Sequence, residues 1–317
     1  MLHVVHHPAY VSPPPPGSPY AFDKYGLVME LLAERGDAHV VHEPQAMPRH
    51  WVEAVHAPAY VAEVIDCTVP RDKSRRIGFA VTGSVARRAL LSPGGTWLAA
   101  KLALRLGHAA NAAGGSHHAL YDTGAGYCVF NDLVIAANRL LAERDAARIL
   151  ILDLDVHQGD GTAALTAGRP DIFTLSVHAA KNFPVRKAES TLDIALPDGV
   201  EDAAYLAVVA AHLPRVLDDF RPDLILYQGG VDPHRDDRLG RLALSDAGLD
   251  TRDRYVMRVA RQRGIAVAST MGGGYGHDRL AVAGRHVASM LALADACART
   301  EAACRDVSAA DFRSSCP

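Results

Sequence analysis

Residues 153–162, DLDVHQGDGT, place three carboxylates and one imidazole within eight positions, directly behind the aliphatic run RILIL. Asp153, Asp155 and His157 alternate with Leu154 and Val156, so an extended chain turns the polar side chains to one side and the apolar ones to the other. Burying such a set without partners costs on the order of several kcal/mol per charge, which a metal ion or a dense hydrogen-bond network must offset. Three further segments carry chemistry of the same kind. GGSHHALYDTGAGYCVFND (114–132) sets His117 beside His118 in a glycine-rich loop, DLILYQGG (223–230) is followed by Val231 and Asp232, and IAVASTMGGG (265–274) is followed by Tyr275. Each piece alone has an ordinary explanation: an aspartate at a strand end is usually a turn or cap residue, and paired histidines usually fill surface or core. Together they form a set. Asp155, His157 and Asp232 are three hard or borderline ligands that leave a coordination position open, the pattern of a catalytic Zn²⁺ site, and carboxylate-rich sets also admit Fe²⁺. An ion held there lowers the pKa of water toward about 7 and polarises a carbonyl. His117 and His118 suit acid–base work, and the Tyr275 hydroxyl suits a donor to a developing oxyanion. The chemistry predicted is metal-assisted hydrolysis of an amide.

Such a set needs a scaffold that brings distant segments to one edge. Aliphatic runs at residues 2–5, 39–42, 148–155, 171–177, 223–230 and 265–270 read as strands buried on both faces, as in a parallel sheet. Between them lie helices with recognisable caps: Thr96, after Gly94 and Gly95, opens a helix that stops at Gly114 and Gly115; Asn131 caps the next, and Ser245 precedes one that ends at Gly264. The alternation predicts a doubly wound α/β sheet whose ligands lie beyond the carboxyl ends of the strands. No repeat or flexible linker divides the chain, so a single domain is expected. SPPPPGSP (12–19) reads as a stiff polyproline-like surface loop.

Bulk properties exclude several classes. The chain has 317 residues, 49% of them hydrophobic, and a formal net charge of −3, which describes a globular protein with no electrostatic footprint for nucleic acid. The one dense basic stretch, RDKSRR (71–76), reads as a solvated loop. The N-terminus lacks the charged and apolar regions of a signal peptide, and no segment reaches the roughly 18 uncharged apolar residues of a membrane span, so a cytoplasmic protein is expected. The five cysteines (Cys67, Cys128, Cys297, Cys304, Cys316) include no Cys-x-x-Cys pair, so any metal must be held by His, Asp or Glu.

GGSHHA, GYCVFND, DLDVHQGDGT, QGGVD and GGGY, in that order, resemble the arginase-deacetylase superfamily, and specifically the zinc-dependent histone deacetylase family with its bacterial class IV-like and acetylpolyamine amidohydrolase relatives. The likeness runs from about residue 3 to residue 295 and includes SPGGTWLAAKLAL (92–104); SPYAFDKYGLVMELLAERG and KNFP (181–184) are most similar to the bacterial branch. It implies a three-layer α/β/α fold with a central, mainly parallel sheet, in a single catalytic domain over residues 1–317 with a short C-terminal tail from about residue 298. It implies Asp155, His157 and Asp232 as zinc ligands and Tyr275 as the hydroxyl that polarises the acyl carbonyl. His118, paired with Asp160, is implied as general base and then acid, with His117 its companion, paired with Asp153. Gly126, Tyr127 and Phe183 match positions lining a narrow acyl-lysine channel, with Leu239 near its mouth. A potassium ion is implied near Asp153, Asp155, the His157 carbonyl, Ser176 and Val177. The implied reaction removes an acetyl or longer acyl group from an N-acyl-lysine peptide or protein, or from a small N-acylated amine, with neither nucleic acid nor membrane as partner. Gln158 stands where animal class I members usually have a second histidine, and no ligand or acid–base role falls on it.

Two other readings stay open. A binuclear hydrolase of the arginase or agmatinase type needs further ligands, which DVHQGD and VDPH lack in register, although His234 is available. A catalytically silent acyl-ligand binder would keep the fold without turnover. Asp236 and Asp237 suit either cationic substrates or, by default, solvated turns. The sequence identifies neither the substrate nor the oligomeric state.

Overall fold

The computed structural model describes residues 1–13, 20 and 22–314, without the side chains of 301–314. Most of the polyproline-like stretch therefore lies outside the described residues. The strands are β1 (Leu2–Val5), β2 (His39–His42), β3 (His108–Asn111), β4 (Ile149–Asp153), β5 (Ile172–Ala179), β6 (Leu192–Leu196), β7 (Leu224–Gln228) and β8 (Ala266–Thr270). All pairings are parallel, in the order β2-β1-β3-β8-β7-β4-β5-β6. The helices are α1 (Lys24–Arg35), α2 (Arg49–Glu53), α3 (Pro58–Ile65), α4 (Arg71–Ile77), α5 (Gly83–Leu106), α6 (Asp132–Ala142), α7 (Asp160–Thr166), α8 (Asp202–Phe220), α9 (Asp246–Arg261) and α10 (Arg279–Ser314). Two apolar clusters, built separately around Val4, Leu133 and Ile151 and around Leu152, Tyr227 and Met257, make this a three-layer α/β/α molecule. β4, β7 and β8 are buried along their whole length, as near-continuous aliphatic runs require.

The register positions the site. Asn111 pairs with Thr270, Thr270 with Gln228, and Gln228 with Asp153, so β3, β8, β7 and β4 end in one row. Every loop that leaves this row starts from the same level. The loops after β4, β7 and β8 carry Asp155 and His157, Asp232, and Tyr275; the loop after β3 carries His117 and His118.

Several elements differ from the sequence expectation. The helix expected from Thr96 begins instead at Gly83, where the Thr82 hydroxyl accepts the Val85 N–H, and it runs through Pro93, Gly94 and Gly95. Those glycines are packing sites: a Cβ on Gly94 would overlap the Gln45 carbonyl, and one on Gly95 the Tyr10 hydroxyl. The helix ends at Leu106, and HAAN becomes β3 because β1 and β8 flank it on both sides. β6 is a further strand that the pattern did not reveal. β4 stops at Asp153, so Asp155 and His157 lie just beyond the strand. The basic stretch 71–76 is helix α4, and the expected tail from residue 298 continues α10. Residues 279–300 of α10 are long and apolar enough to cross a membrane by composition, yet half are buried, and the helix packs on α9 and α1 as a core element.

Candidate active site

Asp155, His157 and Asp232 each offer one ligand atom, all within 4.8 Å of one another and all buried. His157 Nδ1 lies 3.1 Å from both Asp155 Oδ1 and Asp232 Oδ2. The backbone fixes both carboxylates: Asp232 Oδ1 accepts the Val156 N–H at 2.9 Å, and Asp155 Oδ2 accepts the Gly273 N–H at 2.8 Å. Glycine is required at this approach, because a Cβ on Gly273 would overlap the Asp232 carboxylate. Burial and the charge of Asp155 push Asp232 up to about 7, while at His157 the two carboxylates outweigh burial and raise it to about 10. Two carboxylate oxygens with one imidazole nitrogen fit a divalent cation such as Zn²⁺ or Fe²⁺.

Two histidine–aspartate pairs stand beside this cluster. His117 Nδ1–H donates to Asp153 Oδ2 at 2.7 Å, and His118 Nδ1–H donates to Asp160 Oδ1 at 2.7 Å, with the two rings 4.0 Å apart. Their environments drive them apart. At His117 burial opposes the charged ring, but Asp153 and Asp155 outweigh it and raise the ring to about 9. At His118 burial and the His117 charge together outweigh Asp160 and lower it to about 4. The arrangement is one cation beside one neutral base. The Tyr275 ring lies 6.3 Å from that of His157, and burial with the nearby Asp155 and Asp232 charges keeps its hydroxyl protonated well above the ordinary range.

The expected channel residues also meet. Phe183 packs edge-on to His118 at 4.8 Å, Tyr127 lies 5.7 Å from Tyr275, and a Cβ on Gly126 would fall 2.6 Å from His118 Cδ2. Gly126, Tyr127, Phe183, Leu239 and Tyr275 border one cavity of about 290 Å³ that reaches His118 and His157. Of the residues expected near potassium, Asp153 and Ser176 are cross-strand partners, and Ser176 Oγ lies 2.9 Å from His178 Nδ1. Gln158 is turned to Ala188 and Asp193. His234 accepts the Asp236 N–H and lies 3.4 Å from Asp246, outside the ligand cluster.

Four supporting residues escaped the sequence reading. Asp132 accepts N–H bonds from Gly115 and Ser116 and the hydroxyl of Thr96, which holds the histidine loop. Gln228 donates to the Gly115 carbonyl and accepts from Thr270, tying the histidine loop to the ends of β7 and β8. Lys24 is buried; its ammonium donates to the Gly272 carbonyl at 3.0 Å and sits 5.7 Å from the Tyr275 ring centroid. Arg252 donates to the Gly230 and Leu154 carbonyls behind the ligands. Asp132, Gln228 and Lys24 left a signal, as polar members of the motif stretches, whereas Arg252 lay in none of them.

The fold superposes on acetylpolyamine aminohydrolase from Burkholderia pseudomallei with a TM-score of 0.75 at 20% identity, covering 95% of this chain and 99% of that one. This is the arginase-deacetylase type of α/β/α architecture. At the sequence level, residues 18–291 match the histone deacetylase domain model. An uncharacterized protein of Picosynechococcus is 44% identical over 86% of this chain and 91% of its own length. Histone deacetylase 2 of Arabidopsis thaliana is 29% identical over 81% of this chain and 69% of its own length. The chain belongs to the histone deacetylase family and is a hydrolytic deacetylase.

Proposed function

We propose that this deacetylase removes an acetyl or longer acyl group from an acylated lysine or related amine, using a single divalent cation, zinc in the first instance, held by Asp155, His157 and Asp232. The observation that carries the reading is the convergence of that buried donor set with two oppositely tuned His–Asp pairs at the end of one apolar channel. When bound, the cation polarises the acyl carbonyl and makes water acidic enough to attack it near neutral pH. The neutral His118 ring, with Nδ1–H committed to Asp160, has Nε2 free to take the proton from water and return it to the leaving amine. The His117 cation, anchored by Asp153, offsets the local carboxylate charge. Tyr275, kept protonated, donates its O–H to the carbonyl oxygen as negative charge develops there. Tyr127 and Phe183 flank the aliphatic stem of a lysine and exclude water from it. The same reading assigns K⁺ to Asp153, Asp155, the His157 carbonyl, Ser176 and Val177.

A second metal would depend on His234, and the bonding of that residue to Asp236 and Asp246 favours one ion per chain. The test combines metal analysis with two variants. Tyr275→Phe and His118→Ala each lower turnover of an acetyl-lysine peptide by about a hundredfold or more while leaving zinc content and the unfolding midpoint near wild type. Two tightly bound ions per chain, or near-normal turnover in either variant, would overturn the reading.

A further inference from the structure

Helix α4 carries the dense basic stretch, and its last turn is bolted to the channel wall. Gly126 N–H donates to the Arg76 carbonyl at 3.0 Å and Tyr127 N–H to the Ile77 carbonyl at 2.8 Å. The Tyr127 ring packs against Gly78, where a Cβ would stand 2.7 Å from Cε1. Arg75 and Arg76 are exposed and border the cavity of about 290 Å³ that leads to His118. On the other side of the wall formed by Tyr127, Leu239 and Tyr275 lies a second cavity of about 210 Å³, bordered by Arg238, His277 and Arg279.

The acids nearby are already committed. Asp237 accepts N–H bonds from Leu239, Gly240 and Tyr275, Asp236 pairs with Arg285, Asp278 caps α10, and Asp23 pairs with Arg279. Asp237 and Asp278 keep their negative charge beside the second cavity, since backbone N–H groups do not neutralise a carboxylate, and Arg238 stands against them. On the α4 side, Arg75 and Arg76 make no ion pair among the described residues, so the unpaired positive charge at the mouth is theirs. Exposed Phe183, Val185 and Leu239 add apolar surface beside it.

Resting on the deacetylase reading above, we infer that the substrate is an acyl-lysine in an extended polypeptide segment that carries carboxylates on the flank crossing α4. A chain crossing the mouth sends its acylated side chain into the first cavity while that flank passes over Arg75 and Arg76. A small acylated amine fills only the channel and reaches neither flank, and the cationic tail of an acylated polyamine meets like charge.

The test uses the zinc-loaded full chain and acetyl-lysine peptides whose two residues on each side are Asp/Glu, Ala/Ser or Lys/Arg, together with an acetylated polyamine. With about two exposed pairs at about threefold each, kcat/KM for the acidic peptide exceeds that for the neutral one by about tenfold at low salt. The advantage shrinks at high salt, and the basic peptide and the polyamine are the poorest substrates. In Arg75→Ala/Arg76→Ala the acidic-to-neutral ratio falls toward one. Fluorescence anisotropy with the unacetylated acidic peptide reads the same preference without catalysis. Equal kcat/KM for the three peptides, a preference for the basic peptide or the polyamine, or an unchanged ratio in the double variant would overturn the inference. Turnover of the neutral peptide tests the deacetylase reading separately; if it is absent, anisotropy still decides the charge preference.

Discussion

Arg252 and Asp253 are both fully buried, and Arg252 Nε donates to Asp253 Oδ1 at 2.9 Å. The guanidinium also donates to the Gly230 carbonyl at 2.9 Å and the Leu154 carbonyl at 3.3 Å, the residues just ahead of the Asp232 and Asp155 loops. Replacing Arg252 by methionine keeps most of the volume and removes the charge. Asp253 then retains the Tyr227 hydroxyl, which donates to it at 2.6 Å, but it is otherwise a lone buried carboxylate. That uncompensated buried charge costs about 4 kcal/mol, within the usual range for breaking a buried pair. The orphaned Gly230 carbonyl adds about 1–3 kcal/mol. The expected loss of about 5–7 kcal/mol is comparable to the whole stability of many domains. In Arg252→Met/Asp253→Asn the charge component disappears and only the carbonyl cost remains, so the double variant is more stable than the single one. Urea unfolding by circular dichroism measures the gap, and zinc competition reads the loosened ligand loops as weaker metal binding in the single variant. Identical urea midpoints for the two variants would refute this account of the pair.

Two further outcomes follow from the packing. His56 donates from Nδ1 to the Leu120 carbonyl at 2.7 Å and accepts the Asn131 N–H at Nε2 at 2.9 Å, and burial lowers it to about 4; burial lowers His108 to about 3. Both are neutral in the fold, so their contribution is complete above about pH 6.5 and is lost as pH falls toward 4, at about 1.4 kcal/mol per unit for each. Urea midpoints at pH 7.5 and pH 5 measure this, and equal stability at the two would contradict it. Gly78 has φ 98° and supports the Tyr127 ring, so Gly78→Ala destabilises by about 1 kcal/mol or more and raises KM more than it lowers kcat. A fall in kcat at constant KM would show instead that the wall acts on the chemistry.

The parts of this molecule that were legible in the sequence are those whose signal is local. Aliphatic runs gave six of the eight strands near their places, since a strand buried on both faces must be apolar throughout. HAAN lacked that signal because small residues suffice where β1 and β8 fill the space on either side. Gly94 and Gly95 looked like a helix break because a chain alone does not reveal that the Gln45 carbonyl and the Tyr10 hydroxyl need the room. The same division runs through the site. Asp155, His157, Asp232 and the two histidines stood out because their types are chemically specific and their order is ordered by the strands. Arg252 meets the Leu154 carbonyl across 98 residues and Lys24 meets the Gly272 carbonyl across 248, and each is an ordinary cation on an amphipathic helix until the fold is known. The groups that react carry their own signature, whereas the groups that hold them are generic and gain a role only from tertiary contact. Arg75 and Arg76 show the consequence for specificity: as sequence they were a charge run with no location, and the hydrogen bonds from Gly126 and Tyr127 turn the same residues into the rim of the channel.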